Sequence, residues 1–323
     1  MITDDKNSKN FSYLSQLGIL IGLIGAGMII GSIASVIIWL MMTGRPILAI
    51  ASDMLKPQYY NAAMSIQVAS TFFLFFLPVY FFAVICYRKP AKFIGFNTNI
   101  NYKQILILLG ILVLTFPLSV TLAEINKIIP IPKNWTDYFK AKEAAREAQE
   151  AALININSFS KYIISLIVIG LLPGLFEEVG FRAGLQNILV RWFKGPWIAI
   201  IITSIVFSLV HLSYYGFVVR FALGVILGFI FYYSENIWLS AFFHFLFNGL
   251  QVTSLYVYNL NGTKDQKDIE ENFPLWTGAL ALLLIIYLFI QFRKISLLQR
   301  AKVVNDDFPD DDFDFTKWPT EQS

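Results

Sequence analysis

The stretch 176–182, FEEVGFR, sets Glu177, Glu178 and Arg182 in a segment that is apolar for many residues on either side. The chain has only two histidines. Both fall in apolar runs, His211 in IVFSLVHL and His244 in SAFFHFLFNGL, with Asn248 four residues further on. Carboxylates, imidazoles and an amide are the groups that activate water, stabilise an oxyanion, ligate a metal or relay a proton. A charge at bilayer depth costs at least about 2.5 kcal/mol, so such side chains normally face the interior of a bundle and serve a function there.

Helical spacing sorts the group. Residues four apart share a face, so Glu178 faces with Arg182 and His244 with Asn248, while Glu177 is turned by about 100° from Glu178. This geometry gives Glu178 and Arg182 the role of a neutralised supporting pair, with Arg182 within reach of either carboxylate, and leaves Glu177 pointing between helices. Pro173, Gly174, Gly180 and Gly184 loosen the helix or admit a close neighbour. Each polar residue alone is compatible with an interfacial charge cluster or an interhelical hydrogen bond. Together they point to one shared polar site.

The elements that must hold this site are membrane helices. Hydrophobic residues make up 56% of the 323-residue chain and mean hydropathy is +0.60, above the roughly 45–50% apolar usage of soluble domains. About eight runs are long enough for a hydrocarbon core of about 30 Å. They lie at 17–42, 64–87, 104–125, 160–179, 196–214, 217–234, 237–259 and 274–292. No period-2 alternation is present, so the expected fold is an all-α polytopic bundle with its polar core at about 160–255. The first run is too long for a signal peptide and is expected to stay as an anchor after a short N-terminus, 1–16. Cys86 has no partner cysteine in the chain, which excludes an intrachain disulfide framework.

Net charge is +3 with no basic stripe, which gives nucleic-acid binding no support. Arg88, Lys89, Lys92 and Lys103 follow the second run, and Arg293, Lys294, Arg300 and Lys302 follow the last. With about eight spans, both clusters are cytoplasmic if the two termini are, which in a bacterium means the plasma membrane. Between 126 and 158 the chain leaves the membrane. Residues 136–153 there read as a surface helix capped by Thr136 or Asp137, serving as a connector or as a lid beside the site. The tail, 303–323, interleaves acidic and aromatic residues, which suggests a solvated segment or a docking strip for a protein partner.

Taken in order, the polar residues resemble the motif set of the CPBP family of membrane-embedded CAAX prenyl endopeptidases and bacteriocin-processing proteases. Glu177, Glu178 and Arg182 meet Glu-Glu-x-x-x-Arg; Phe207 and His211 meet Phe-x-x-x-His; His244 and Asn248 meet His-x-x-x-Asn. The resemblance implies hydrolysis of a peptide bond of a membrane-associated or prenylated substrate. In that scheme Glu177 activates water with help from His211, His244 and Asn248 donate to the oxyanion, and Glu178 with Arg182 holds the arrangement. A zinc mechanism uses the same atoms differently, with Glu177, His211 and His244 as ligands, although no His-Glu-x-x-His segment is present. The metal-free scheme suits Asn248 better, as an amide is a better oxyanion donor than zinc ligand. Two other classes share the residues: a catalytically silent scaffold or immunity-type binder, and a proton-coupled carrier.

One tension follows from the expected spans. A fourth span ending at 179 puts the glutamates and His244 near the cytoplasmic side and His211 near the other. Either 180–195 dips back into the bundle or the boundaries there move.

Overall fold

The computed structural model describes residues 7–54, 56–153, 158–261 and 274–307. Among the described residues nine helices carry the architecture: α1 (Tyr13–Thr43), α2 (Pro57–Cys86), α3 (Tyr102–Ile128), α4 (Lys133–Leu153), α5 (Phe159–Phe193), α6 (Pro196–Leu209), α7 (Phe217–Ser234), α8 (Ile237–Asn261) and α9 (Leu275–Asp307). No strand is present among the described residues. The chain is thus an all-α, multi-pass membrane bundle.

Local chemistry sets the helix ends. Ser12 caps α1 by accepting from the Ser15 amide, and Gly44 ends that helix in the left-handed region at φ 63°. Asn101 and Gln104 form a reciprocal capping box at the start of α3. α4 begins at Lys133, earlier than the cap expected at Thr136 or Asp137, because the Pro132 carbonyl already accepts from the Trp135 and Thr136 amides. α9 continues to Asp307, into the segment read from sequence as tail. The remainder of that tail, and residues 262–273, lie outside the described residues.

The eight expected spans match eight of these helices, but six are long and apolar enough to cross a membrane. α6, with 14 residues, reaches only about 21 Å at about 1.5 Å per residue. α8 has 25 residues but is interrupted by Ser240, His244, Asn248 and Gln251. Both of these helices are among those that form the site.

The largest departure concerns α5. It does not end at 179 but runs unbroken to Phe193 over 35 residues, about 52 Å at about 1.5 Å per residue. Two of its turns are wide, over Leu166–Leu171 and Val179–Gln186. The first lies just before Pro173, as another at Phe72–Phe76 in α2 lies just before Pro78. Extra residues in these turns absorb the missing amide and the ring clash that proline brings to a helix interior.

This continuity settles the level of His211. From Glu178 to the end of α5 is about 22 Å, and from the start of α6 to His211 is again about 22 Å, at about 1.5 Å per residue. The two form a hairpin of nearly equal arms, so His211 returns to the depth of the glutamates without any dip in 180–195. Phe207, one turn before His211, accordingly meets Phe181 of α5 with ring centroids 5.2 Å apart.

Two apolar cores flank the site helix. One joins α3, α7, α8 and α9 through Ile111, Leu227, Phe243 and Phe292. The other joins α1, α2 and the second half of α5 through Leu20, Phe82, Val179 and Ile188. α8 lies along the first half of α5, and Gly174 permits that approach: a Cβ there would stand 3.0 Å from the Phe245 amide nitrogen.

The starting end of α1 and the finishing ends of α2, α7 and α9 lie together. Ser8 pairs with Tyr87, Ile237 N donates to Gly95 O, and Arg300 meets Glu235 at 2.6 Å. Arg88, Lys89, Lys92, Lys103, Arg293, Lys294 and Arg300 therefore belong to this same end of the bundle.

Candidate active site

The site is built on α5. Glu178 and Arg182, one turn apart, are both fully buried and form an ion pair at 3.0 Å between Arg182 Nε and Glu178 Oε2, with a longer bond of 3.4 Å from Nη2 to Oε1. Arg182 also places its guanidinium 5.2 Å over the Phe207 ring. Its Nη1 has no hydrogen-bond partner among the described residues. The carboxylate and the ring face together offset the burial of this cation.

α8 brings His244 to the pair. Its Nδ1 lies 3.1 Å from Glu178 Oε1 and its Nε2 lies 4.0 Å from Glu177 Oε2, so the two ring nitrogens are divided between the two carboxylates. Glu178 is ionised in its pair with Arg182 and can only accept, which places a proton on His244 Nδ1. The burial of the carboxylates differs: the Glu178 side chain is 0% exposed and that of Glu177 is 13% exposed. Glu177 is the carboxylate that another molecule can reach.

His211 stands in the turn after α6 and is half-buried. Its Nδ1 is 2.7 Å from the Phe207 carbonyl, which can only accept, so the proton is on Nδ1 and Nε2 is the acceptor nitrogen of the ring. Phe207 links the parts: its ring lies 5.0 Å from the His211 ring and 5.9 Å from the His244 ring. Asn248 is partly buried one turn beyond His244 on α8 and makes no hydrogen bond among the described residues.

The structure thus brings Glu177, Glu178, Arg182 and His244 into one cluster and joins His211 to it through Phe207. Asn248 shares the face of His244 without touching the cluster by a hydrogen bond. Among the described residues no three His, Cys, Asp or Glu side chains converge so as to hold a metal ion, because His244 is already turned to Glu178 and His211 is bonded to its own helix.

Two features were not anticipated. Arg220, in the first turn of α7, folds its guanidinium back against Gly216, which caps that helix. The available signal was plain: Arg220 is the one charged residue in Phe217–Ser234. The other is the support under the His211 loop. Asn126 at the end of α3 donates to Tyr214 O at 3.0 Å and accepts from Val218 N at 2.9 Å. From α4, Glu143 accepts from Ser213 Oγ at 2.9 Å, and Phe139 stacks on Tyr214 at 5.0 Å. A cleft of about 420 Å³, lined by Lys127, Lys140, Glu143, Ala144 and Tyr215, opens beside this loop.

Residues 159–250 match the family model for Rce1-like type II CAAX prenyl endopeptidases. The matched segment runs from the start of α5 past Asn248 and contains all six candidate residues; α1, α2, α3, α4 and α9 lie outside it. The match agrees with the resemblance drawn from the motifs. No curated protein and no solved structure matches the chain.

Proposed function

We propose that the chain is an intramembrane endopeptidase that cleaves a membrane-associated or prenylated protein or peptide, with Glu177 activating the water. The observation that carries this reading is the unequal setting of two adjacent carboxylates. Glu178 is closed off by Arg182 and His244, whereas Glu177 is reachable and stands 4.0 Å from His244 Nε2. That separation exceeds a direct hydrogen bond and suits two groups holding one water oxygen between them.

Hydrolysis then runs through this chain's own groups. Glu177 takes a proton as the water oxygen bonds to the scissile carbonyl carbon, and the carbonyl oxygen becomes the oxyanion. Asn248 Nδ2 and His244 Nε2 donate to it, the latter when the ring carries a second proton. As the C–N bond breaks, the proton held by Glu177 passes to the leaving amine, with His211 Nε2 able to relay it. Glu178 and Arg182 fix His244 and do not exchange protons with the substrate. This scheme uses no metal.

By the positive-inside rule we place the basic end of the bundle, and with it both termini, in the cytoplasm, at the plasma membrane if the source is bacterial. The test of function is cleavage by the detergent-purified protein of a farnesylated CAAX peptide and of unprenylated membrane peptides, read by mass spectrometry. Glu177→Gln and His211→Asn should each cost at least about 100-fold in rate, with chelator leaving the wild type unchanged. Absence of cleavage, with binding retained, would favour the silent scaffold; proton-coupled uptake into vesicles would favour the carrier.

A further inference from the structure

His211 stands outside the regular part of α6. Its amide donates to Ser208 O at 3.3 Å and Leu212 N donates to Leu209 O at 3.0 Å, each three residues back, so the helix closes in a tightened turn beneath the imidazole. Leu212 follows at φ 51°, in the left-handed region that a non-glycine residue adopts at a cost and keeps only when its surroundings demand it. Its side chain is 77% exposed, so packing around it does not impose that conformation. The tethers on either side of it do.

Those tethers form one connected network. Ser208 Oγ donates to Phe217 O at 2.7 Å, which ties the end of α6 to the start of α7. Phe217 N donates to Tyr214 O at 3.1 Å, and the same carbonyl accepts from Asn126 Nδ2 at 3.0 Å. Asn126 Oδ1 in turn accepts from Val218 N at 2.9 Å, one of the first amides of α7, which have no partner within their own helix. Both ends of one carboxamide are thus spent on the backbone that follows His211. The amide of His211 is itself bonded to Ser208, the residue whose hydroxyl completes the network. Asn126 is buried near the end of α3, outside the segment that the family model matches.

Resting on the endopeptidase reading, we propose that Asn126 is a positioning residue for His211. An imidazole that relays a proton must keep its place relative to Glu177, and a displacement of about 1 Å costs about 100-fold in rate. A plain interhelical hydrogen bond would use one end of the amide. Here donor and acceptor are matched to a carbonyl and an amide four residues apart, which fixes the loop in two directions at once. The positioning comes from a helix that carries none of the six candidate residues.

The two histidines of the chain make the test direct. Full-length protein isotopically labelled at the histidine ring nitrogens and reconstituted in liposomes gives two imidazoles by magic-angle-spinning NMR, and His211→Asn assigns them. Wild-type His211 should show a protonated Nδ1 and a bare Nε2, as its bond to Phe207 O requires. Asn126→Leu should draw the two His211 signals together, as for exchanging tautomers, while His244 stays as in wild type and reports that the variant is folded. In cleavage assays Asn126→Leu should lower kcat about tenfold with KM within about twofold. Added to His211→Asn it should cost no more than about twofold further, because the residue it positions is already gone. Unchanged His211 signals overturn the proposal, and so do losses that multiply in the double variant. If Asn126→Leu fails to fold, the smaller Asn126→Ser carries the same expectations; failure of both makes Asn126 a folding residue and also overturns the proposal. A wild type that cuts no peptide refutes the hydrolase reading, and the spectra then decide alone whether Asn126 places His211.

Discussion

The guanidinium of Arg182 lies 5.2 Å above the ring of Phe207, so the buried cation of one helix is faced by the aromatic ring of another. The same ring touches Phe181, His211 and His244, and its own carbonyl accepts from His211. Phe207 is the common wall of groups that come from α5, α6 and α8. Replacing it with leucine keeps most of the volume but removes the ring face. Phe207→Leu is expected to cost about 1–2 kcal/mol of stability and to lower kcat more than KM, as read from thermal melts and peptide cleavage together.

Glu177 and Glu178 should separate cleanly. Glu178→Gln leaves Arg182 buried without its carboxylate, a loss of about 3–5 kcal/mol. Glu177→Gln exchanges a partly exposed group whose ionic contact is the long one to His244 at 4.0 Å and should shift the melting temperature little. Thermal unfolding of both variants in one detergent checks the contrast, and equal destabilisation would contradict it.

Gly174→Ala should act at a distance from any charge. Its Cβ would stand 3.0 Å from the Phe245 amide nitrogen and 3.3 Å from the Ala241 carbonyl, both backbone atoms of α8. The helices must part, which lengthens the Glu178–His244 contact. A loss of about 1–3 kcal/mol is expected, with cleavage falling further than stability alone would explain, and the pair of measurements distinguishes the two effects.

The loop between α1 and α2 carries a pH-dependent clasp. Lys56 at 2.6 Å, then Arg45 at 3.0 Å, hold the buried Asp53 carboxyl below its usual range, against the opposing effect of burial. A lowered folded-state value means the clasp contributes fully above the ordinary aspartate value near pH 3.9 and is lost as pH falls through the lowered one. Hydrogen-exchange protection factors around Ile50–Asp53, taken relative to the unstructured rate at each pH, should therefore stay flat down to about pH 4 and fall below it. Asp53→Asn should show low protection at every pH.

Much of the site was legible because charge in lipid is expensive: Glu177, Glu178, Arg182, His211 and His244 declared themselves by being where apolar residues would cost nothing. The course of α5 was not legible for the same reason inverted. Gln186, Asn187 and Arg191 lie beyond the expected end at 179, yet each is buried and finds a partner. Gln186 donates to Gly228 O at 2.9 Å, and Asn187 to Phe93 O at 3.1 Å. These partners are up to about a hundred positions away in the chain, and no periodicity within a segment reports them. Arg220 was missed through a different fault, since a lone basic residue near a helix end reads as an interfacial anchor until its neighbours are known.

The far end of α5 has its own keeper. Arg191 donates to Gln16 Oε1 at 3.1 Å and to the hydroxyl of Tyr87, which in turn donates to Gln16, and its guanidinium lies against the rings of Tyr13, Tyr87 and Phe93. Four of these partners come from outside residues 159–250. The segment that carries the candidate site is therefore not a self-sufficient module: it borrows from the first two helices side-chain oxygens that keep a buried guanidinium quiet, and a shuffling event that moved it alone would take that charge away from them. Inheritance of the active residues implies inheritance of the helices that carry none of them.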